Sequence, residues 1–475
     1  MKSTVDSIHR LAKHASDTRI ENIPDHVLQE TVTLFLDTMG CICAGSGSQG
    51  VSELVRAMTF WGGNAQSTVF SHDTRTSAPE AALLNSVMCH ANDFDDTHDQ
   101  AVNHGCVTIV PALIAVCEAL HPGRNDGSMK ALRPRVITGR DFIGALAVGL
   151  DVSNRLGMAF IPYLHTGWLP TTLWGPFGCA AACGRILKLN TAEMMDAFGI
   201  AYSQIHGNRQ ALVDGRLAKR IQPGFSAAAG VRSTVYAALG LTGAQNIIDG
   251  NFGIPKLYTR GKIDGEYLSA DVGKLYETSN VSIKPYPCCR CTHPVIDSAL
   301  KIKDDHNVKW EDIEKGTIYL PPTSMGQIGH AFAIRDNPTV DAQFSAQYTS
   351  ALVFVKGRPR LGDFRKENII AQKDIIGLAS KFNVIEYEKD RSGITPVTME
   401  LKLKNGSELS ILTEIPKGSR DNPLTYEELI FKFNDCLDNS IKSYGVEERR
   451  SMVQALVTVT EATDICEIIG LFNGN

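Results

Sequence analysis

The densest group of side chains able to move protons is His90-Ala91-Asn92-Asp93-Phe94-Asp95-Asp96-Thr97-His98-Asp99, followed by His104-Gly105. It lies between two apolar segments, an unusual place for four aspartates and three histidines. A carboxylate base beside an imidazole is the pairing that general acid–base catalysis uses. The competing reading is a solvated loop between helices whose aspartates cap helix starts. A calcium loop fails on spacing. Counted from Asp93, position six is His98 where Gly makes the turn, and position twelve is His104 where a bidentate Glu belongs.

Two basic clusters suit anions. Arg216, Lys219 and Arg220 surround a loop leading through Gln222-Pro223-Gly224 into an Ala-rich helix. Lys284-Pro285-Tyr286-Pro287, Arg290 and His293-Pro294 precede another. Helix N-termini downstream of both add donors for an anion, and together the clusters suit a substrate with several carboxylates. Taken singly, each also reads as a loop with surface cations.

Other motifs read as packing. Gly45-Ser46-Gly47-Ser48-Gln49-Gly50 has dinucleotide-loop spacing but follows a helical pattern instead of a strand, so it is a loop between helices. Cys288-Cys289-Arg290-Cys291 lacks the second cysteine pair of a zinc or iron–sulfur site and reads as a tight turn. Cys179 and Cys183 read as small residues for close helix packing.

The elements that must carry these groups are mainly helical up to about residue 265. Apolar positions recur at helical spacing from Val27 to Met39, with Pro24-Asp25 as a start and Gly40 as the expected stop. Asn190 with Glu193 forms a capping box. Segments 80–92, 107–120, 141–156 and 173–187 are apolar almost throughout and read as buried helices. After 265 strands appear. Gly316–Pro321 is one, and Thr395–Leu403 with Glu408–Thr413 forms a hairpin about an Asn405-Gly406 turn. Thr425 with Glu428 opens a last helix. The predicted fold class is mainly α with an α+β part: a large helical domain over 1–265 and 421–475, and a smaller inserted α/β domain over 266–420.

Composition sets outer limits. In 475 residues, 47 basic and 52 acidic side chains leave a net charge of −5, which argues against a nucleic-acid partner held by bulk charge. The start of the chain lacks the apolar core of a secretory signal, and the apolar stretch Val107–Leu120 is too short to span a bilayer. Twelve cysteines without repeated spacing suggest reduced thiols. A cytoplasmic protein without a membrane partner is expected, with mitochondria the alternative.

The combination resembles the MmgE/PrpD family, which includes 2-methylcitrate dehydratase, cis-aconitate decarboxylase and iminodisuccinate epimerase. Asn92–Thr97 with His104 is similar to its signature. Gly167–Gly178, Lys219–Gly224, Lys284–Pro294 and Phe344-Ser345 with Tyr348 resemble further blocks in the same order, over roughly 5–465. The resemblance implies that Asp93, Thr97, His104, Lys219 and Lys284 line the active site; Arg220, Arg290 and His293 of the basic clusters, with His165 and Gln222, are expected to bind substrate. It also implies a lid domain, a homodimer, a small polycarboxylate substrate, and no metal or organic cofactor. Two departures stand out: Leu169 and Gln222 occupy positions where relatives commonly carry His. His165 would share a face with position 169 if that segment were helical. A polar insertion near 121–138 is a third departure. The expected reaction is dehydration of a citrate-like acid, with decarboxylation next, then epimerisation, then a non-catalytic member of the fold.

Overall fold

The structure, a computed structural model, describes residues 5–472 except 126, 128, 166 and 388–392. The chain forms two units: Met1–Ala91, Asp95–Val281 and Cys436–Asn475 in the first, Asn92–Phe94 and Ser282–Asp435 in the second.

The first unit is built of helices. Its buried members include Asp25–Gly45, Ala78–His90, Gly105–Leu120, Gly139–Phe160, Pro170–Leu187, Thr191–Tyr202 and Ala218–Ala238. The first does not stop at Gly40. Cys41, Ile42, Cys43 and Ala44 are buried and extend its apolar face, which outweighs the ~1 kcal/mol that one helical glycine costs. This helix is long and apolar enough to cross a membrane, a length the sequence pattern did not suggest, but 83% of its apolar window is buried inside the protein, as in a core helix. The Asn190–Glu193 capping box is present, with Glu193 N donating to Asn190 Oδ1 at 3.1 Å and Asn190 N to Glu193 Oε2 at 2.8 Å. Close packing of Ala218–Ala238 on Pro170–Leu187 depends on Gly230, where a Cβ would lie 2.1 Å from that of Cys179. All twelve cysteines are free thiols.

Residues 266–281 belong to this unit, whereas the inserted domain was expected to begin at 266. Arg155, buried and paired through Nε with Asp151 Oδ2 at 2.9 Å, donates to the carbonyls of Tyr267, Ala270 and Leu275 at 3.0, 3.0 and 2.6 Å. Asp151 Oδ1 accepts from the N–H of Glu277 at 2.7 Å. A buried ion pair therefore ties this irregular segment to a core helix.

The second unit carries a four-stranded sheet in the order Phe382–Glu386, Ile313–Leu320, Val397–Leu403, Glu408–Thr413. The first pair is parallel and the others antiparallel. Helices His293–His306 and Ala346–Lys356 share its apolar core. The hairpin turn differs from the expected two-residue form. Leu403 and Ser407 close a three-residue loop, and only Gly406 has positive φ, at 88°. Asn405 caps that loop by accepting from Ser407 N at 2.9 Å. Thr425 and Glu428 form the expected capping box. Residues 421–435 pack in this unit, not the first, because Arg360 lies 4.5 Å over the ring of Phe431 and Asp435 accepts from Leu361 N at 3.1 Å.

Candidate active site

In the first unit the acidic stretch closes on itself. Helix Ala78–His90 ends at His90, and the chain returns at His104, which precedes helix Gly105–Leu120. Asp95 Oδ2 lies 2.9 Å from His90 Nδ1 and 3.0 Å from His104 Nδ1. His104 Nδ1 also lies 2.6 Å from the backbone oxygen of Asp96. A carbonyl only accepts, so Nδ1 of His104 carries the proton and Nε2 is the outward, exchangeable end. Asp95 is fully enclosed, whereas the His104 side chain is 21% exposed, open enough to meet a substrate.

Electrostatics sorts the group further. Burial, and then the positive charge of Lys219, push the His90 imidazole down to about 4, so it is neutral near pH 7. Burial, and then the charge on Asp95, raise Asp96 to about 6. His98 is occupied structurally: its Nδ1 accepts from Ala101 N at 3.0 Å, and its Nε2 faces Glu277 Oε2 at 3.1 Å. Thr97 is buried in the two-residue strand Thr97–His98. His90, Asp95 and His104 have the donor atoms of a small metal site, all within 4.8 Å of one another. The proton that the Asp96 carbonyl requires on His104 Nδ1 favours a hydrogen-bonded unit over a metal centre.

Three helix starts meet beside this group. His104 N donates to Thr171 Oγ1 at 3.0 Å, which ties the start of Gly105–Leu120 to the first turn of Pro170–Leu187. Thr172 Oγ1 donates to the carbonyl of His206 at 2.6 Å. Two residues on, Asn208 N donates to Gln222 Oε1 at 2.8 Å and Asn208 O accepts from Gln222 Nε2 at 3.0 Å, reaching the first turns of Ala218–Ala238. None of the three helices has an acidic residue in its first turn, and the last carries Lys219 and Arg220 there, both half-buried. Cations at the positive end of a helix oppose its dipole, so the arrangement suits an incoming anion.

The second unit holds the other cluster. Lys284, 1% exposed, donates from Nζ to both the carbonyl oxygen and Oδ1 of Asp93 at 3.1 Å. Asp93 has φ 54°, a left-handed conformation that Asp tolerates better than most residues. Its two neighbours are gripped as well: Gln343 Nε2 donates to Asn92 O at 2.9 Å and Lys432 Nζ to Phe94 O at 2.8 Å. Three donors thus hold three successive carbonyls. Arg290 Nη1 donates to the carbonyl of Lys417 at 2.8 Å and lies 3.3 Å from His293 Nδ1. Since Arg only donates, that nitrogen accepts and the Nε2–H faces Cys288 O at 3.3 Å. Burial, and then Arg290, keep His293 neutral.

Of the expected residues, His104, Lys219, Arg220 and Gln222 gather in the first unit, while Asp93, Lys284, Arg290 and His293 gather in the second. Gln222 spends both ends of its amide on the backbone of Asn208, so it holds a loop instead of offering a free group. His293 likewise has both nitrogens engaged. His165 cannot stand in for position 169 by helical spacing: residues 164 and 165 are irregular, Gly167 has φ 102°, and Leu169 is the N-cap of the next helix. Cys288–Cys291 forms a buried turn, with Thr292 Oγ1 donating to Cys288 Sγ at 3.0 Å. Asp95 and His90 went unselected because the sequence shows four equivalent aspartates and no sign of which oxygen meets an imidazole. Gln343, Lys432 and His206 carried no local signal beyond their polar side chains.

Comparison with known proteins identifies the family. The model of the MmgE/PrpD N-terminal domain matches residues 9–265, and that of the MmgE/PrpD C-terminal domain matches residues 286–458. The chain is similar to a cis-aconitate decarboxylase-like protein of Aspergillus oryzae, 25% identical over 98% of this chain and 96% of that protein. It is also similar to the cis-aconitate decarboxylases of Aspergillus terreus, 24% identical over 96% and 94% of the two chains, and of Homo sapiens, 24% identical over 96% and 92%. Both domain models match in order and together take in the acidic loop, the first basic cluster, and Arg290 and His293 of the second, so the chain belongs to the MmgE/PrpD family.

Proposed function

We propose that the protein is a lyase acting on a small tricarboxylate, and that it removes carbon dioxide from a cis-aconitate-like acid. The observation that supports a polyanionic substrate is the meeting of three helix N-termini without acidic residues in their first turns, the last of which carries Lys219 and Arg220. Decarboxylation is favoured over the dehydration expected from the sequence because the full-length relatives named above are decarboxylases.

In this reading the bond between the leaving carboxylate carbon and the methylene carbon breaks. Its electron pair enters the allyl system conjugated with the remaining carboxylates. A proton from Nε2 of His104 adds to the far allyl carbon, giving a methylene-bearing dicarboxylate and carbon dioxide, and His104 regains a proton from water. The developing negative charge needs preorganised donors, each worth about 2.7–4 kcal/mol in the transition state. Lys219 and Arg220 are proposed for that role. Dehydration is the second reading, motivated by Asp93, a carboxylate base that loss of carbon dioxide does not need.

Incubation with cis-aconitate, citrate and 2-methylcitrate, with carbon dioxide and alkene absorbance followed together, tests both. Carbon dioxide from cis-aconitate, lost about 10²–10⁴-fold in His104→Ala, is the expected result. Alkene formed from citrate without carbon dioxide favours dehydration, and turnover of none of the three overturns both readings.

A further inference from the structure

Two imidazoles on one carboxylate oxygen are more than a single proton carrier requires. We propose that Asp95 is the positioning residue of this site: its Oδ2 accepts the Nδ1–H of His90 and lies 3.0 Å from the His104 Nδ1–H that the Asp96 carbonyl accepts, so that His104 presents only Nε2 for proton transfer and the charge it gains is met at Nδ1. The inference rests on the proton-carrying role proposed for His104.

The geometry carries it in three steps. The Asp96 carbonyl, 2.6 Å from His104 Nδ1, fixes the tautomer. Asp95 Oδ2, 3.0 Å from the same nitrogen, adds a full negative charge where the imidazolium forms. His90 holds Oδ2 from the other side at 2.9 Å, its ring 5.3 Å from that of His104 and inclined by 70°. A neutral His90 anchors the carboxylate by a hydrogen bond without cancelling its charge, which a protonated His90 would do. The ionisable groups around the unit are Lys219 from helix Ala218–Ala238, Asp96 in the loop, Asp37 from helix Asp25–Gly45, and the thiols of Cys41, Cys89 and Cys106.

The test is Asp95→Asn in the full chain, read in two ways. Proton NMR of histidine-labelled protein is expected to show a strongly downfield Nδ1–H resonance that is lost in Asp95→Asn and kept in Lys284→Met. For turnover, kcat is expected to fall about 10²–10⁴-fold, the range for losing a positioned general acid. KM stays within about threefold, the alkaline limb of the kcat profile moves to lower pH, and Asp95→Glu recovers part of the loss. In a His104→Ala background the same substitution is expected to add less than about threefold, because the two residues act as a unit. An unchanged pH profile, additive losses, or a stoichiometric metal whose removal abolishes the downfield resonance would overturn the proposal. If no polycarboxylate is turned over, the resonance still decides: its presence and loss uphold the arrangement while the catalytic reading falls, and its absence from the unaltered protein overturns the arrangement itself. Should Asp95→Asn fail to fold, His90→Phe is expected to weaken the resonance and lower kcat about tenfold. No change in either then counts against the proposal.

Discussion

Burial acts in opposite senses on two side chains of the acidic stretch. Asp96 is raised from the 3.8 of a free aspartate to about 6, by burial first and the charge of Asp95 second. In the folded state it keeps a proton that the unfolded chain has released. Its contribution to stability is therefore full below 3.8 and lost as pH rises through about 6, a difference of about 3 kcal/mol. His90 is lowered from 6.5 to about 4. Its contribution is present above 6.5 and lost as pH falls through about 4, again about 3 kcal/mol. Between those limits the two trends nearly cancel. Asp96→Asn removes one of them; Asp96 Oδ2 accepts from Cys106 N at 3.1 Å, a bond that the amide oxygen of Asn is expected to keep. Urea unfolding is expected to show the variant gaining on the unaltered protein by about 3 kcal/mol between pH 4 and pH 7.5. A difference independent of pH would mean that Asp96 is ionised throughout. At this scale the residue types were legible from the sequence. The protonation states were not, because they depend on burial and on a lysine more than a hundred residues away.

Elements decide where charge is welcome. The half-buried cations on the first turn of Ala218–Ala238 oppose that helix's dipole, and an anion would relieve both. Lys219→Met is expected to weaken binding of an unreactive tricarboxylate about 10–100-fold by calorimetry, the range for one hydrogen bond to a charged group. Unchanged binding would place the anion elsewhere. Packing sets a second constraint. Gly230→Ala drives a methyl into Cys179 Cβ and is expected to cost about 1–3 kcal/mol in chemical unfolding, the usual range for overpacking. Cys179→Gly in the same chain should return part of that loss, and purely additive losses would show that the clash is not the cause. The helices themselves were largely legible, since apolar period and capping boxes are local signals. Gly40 misled because a stop signal within an apolar run yields to burial, and Asn405-Gly406 because the same dipeptide serves a three-residue loop.

For the whole molecule, the chain path departs most from what composition suggested. Arg155 holds 266–275 against a core helix through carbonyls that no side-chain pattern advertises. Arg155→Met leaves Asp151 buried without that partner and is expected to cost about 3–5 kcal/mol, seen as a lower thermal midpoint. A midpoint unchanged within error would assign the segment another anchor. The homodimer implied by the family resemblance is a proposal at this scale. Sedimentation at micromolar concentration is expected to give twice the chain mass, and a species of single-chain mass throughout would overturn it.

The net charge of −5 argued against a large polyanion as partner, while the ordered motifs pointed to the family. By itself the sequence determined the family, the predominance of helix, the hairpin and the residue types able to move protons, because each is written in neighbouring residues or in motifs read in order. Only the tertiary structure decided that Asp95, not its three neighbours, meets two imidazoles, that Gln222 and His293 are already engaged, and that three helix starts share one place. Those outcomes depend on distances between residues far apart in the chain, and such distances exist only once the backbone has folded around them.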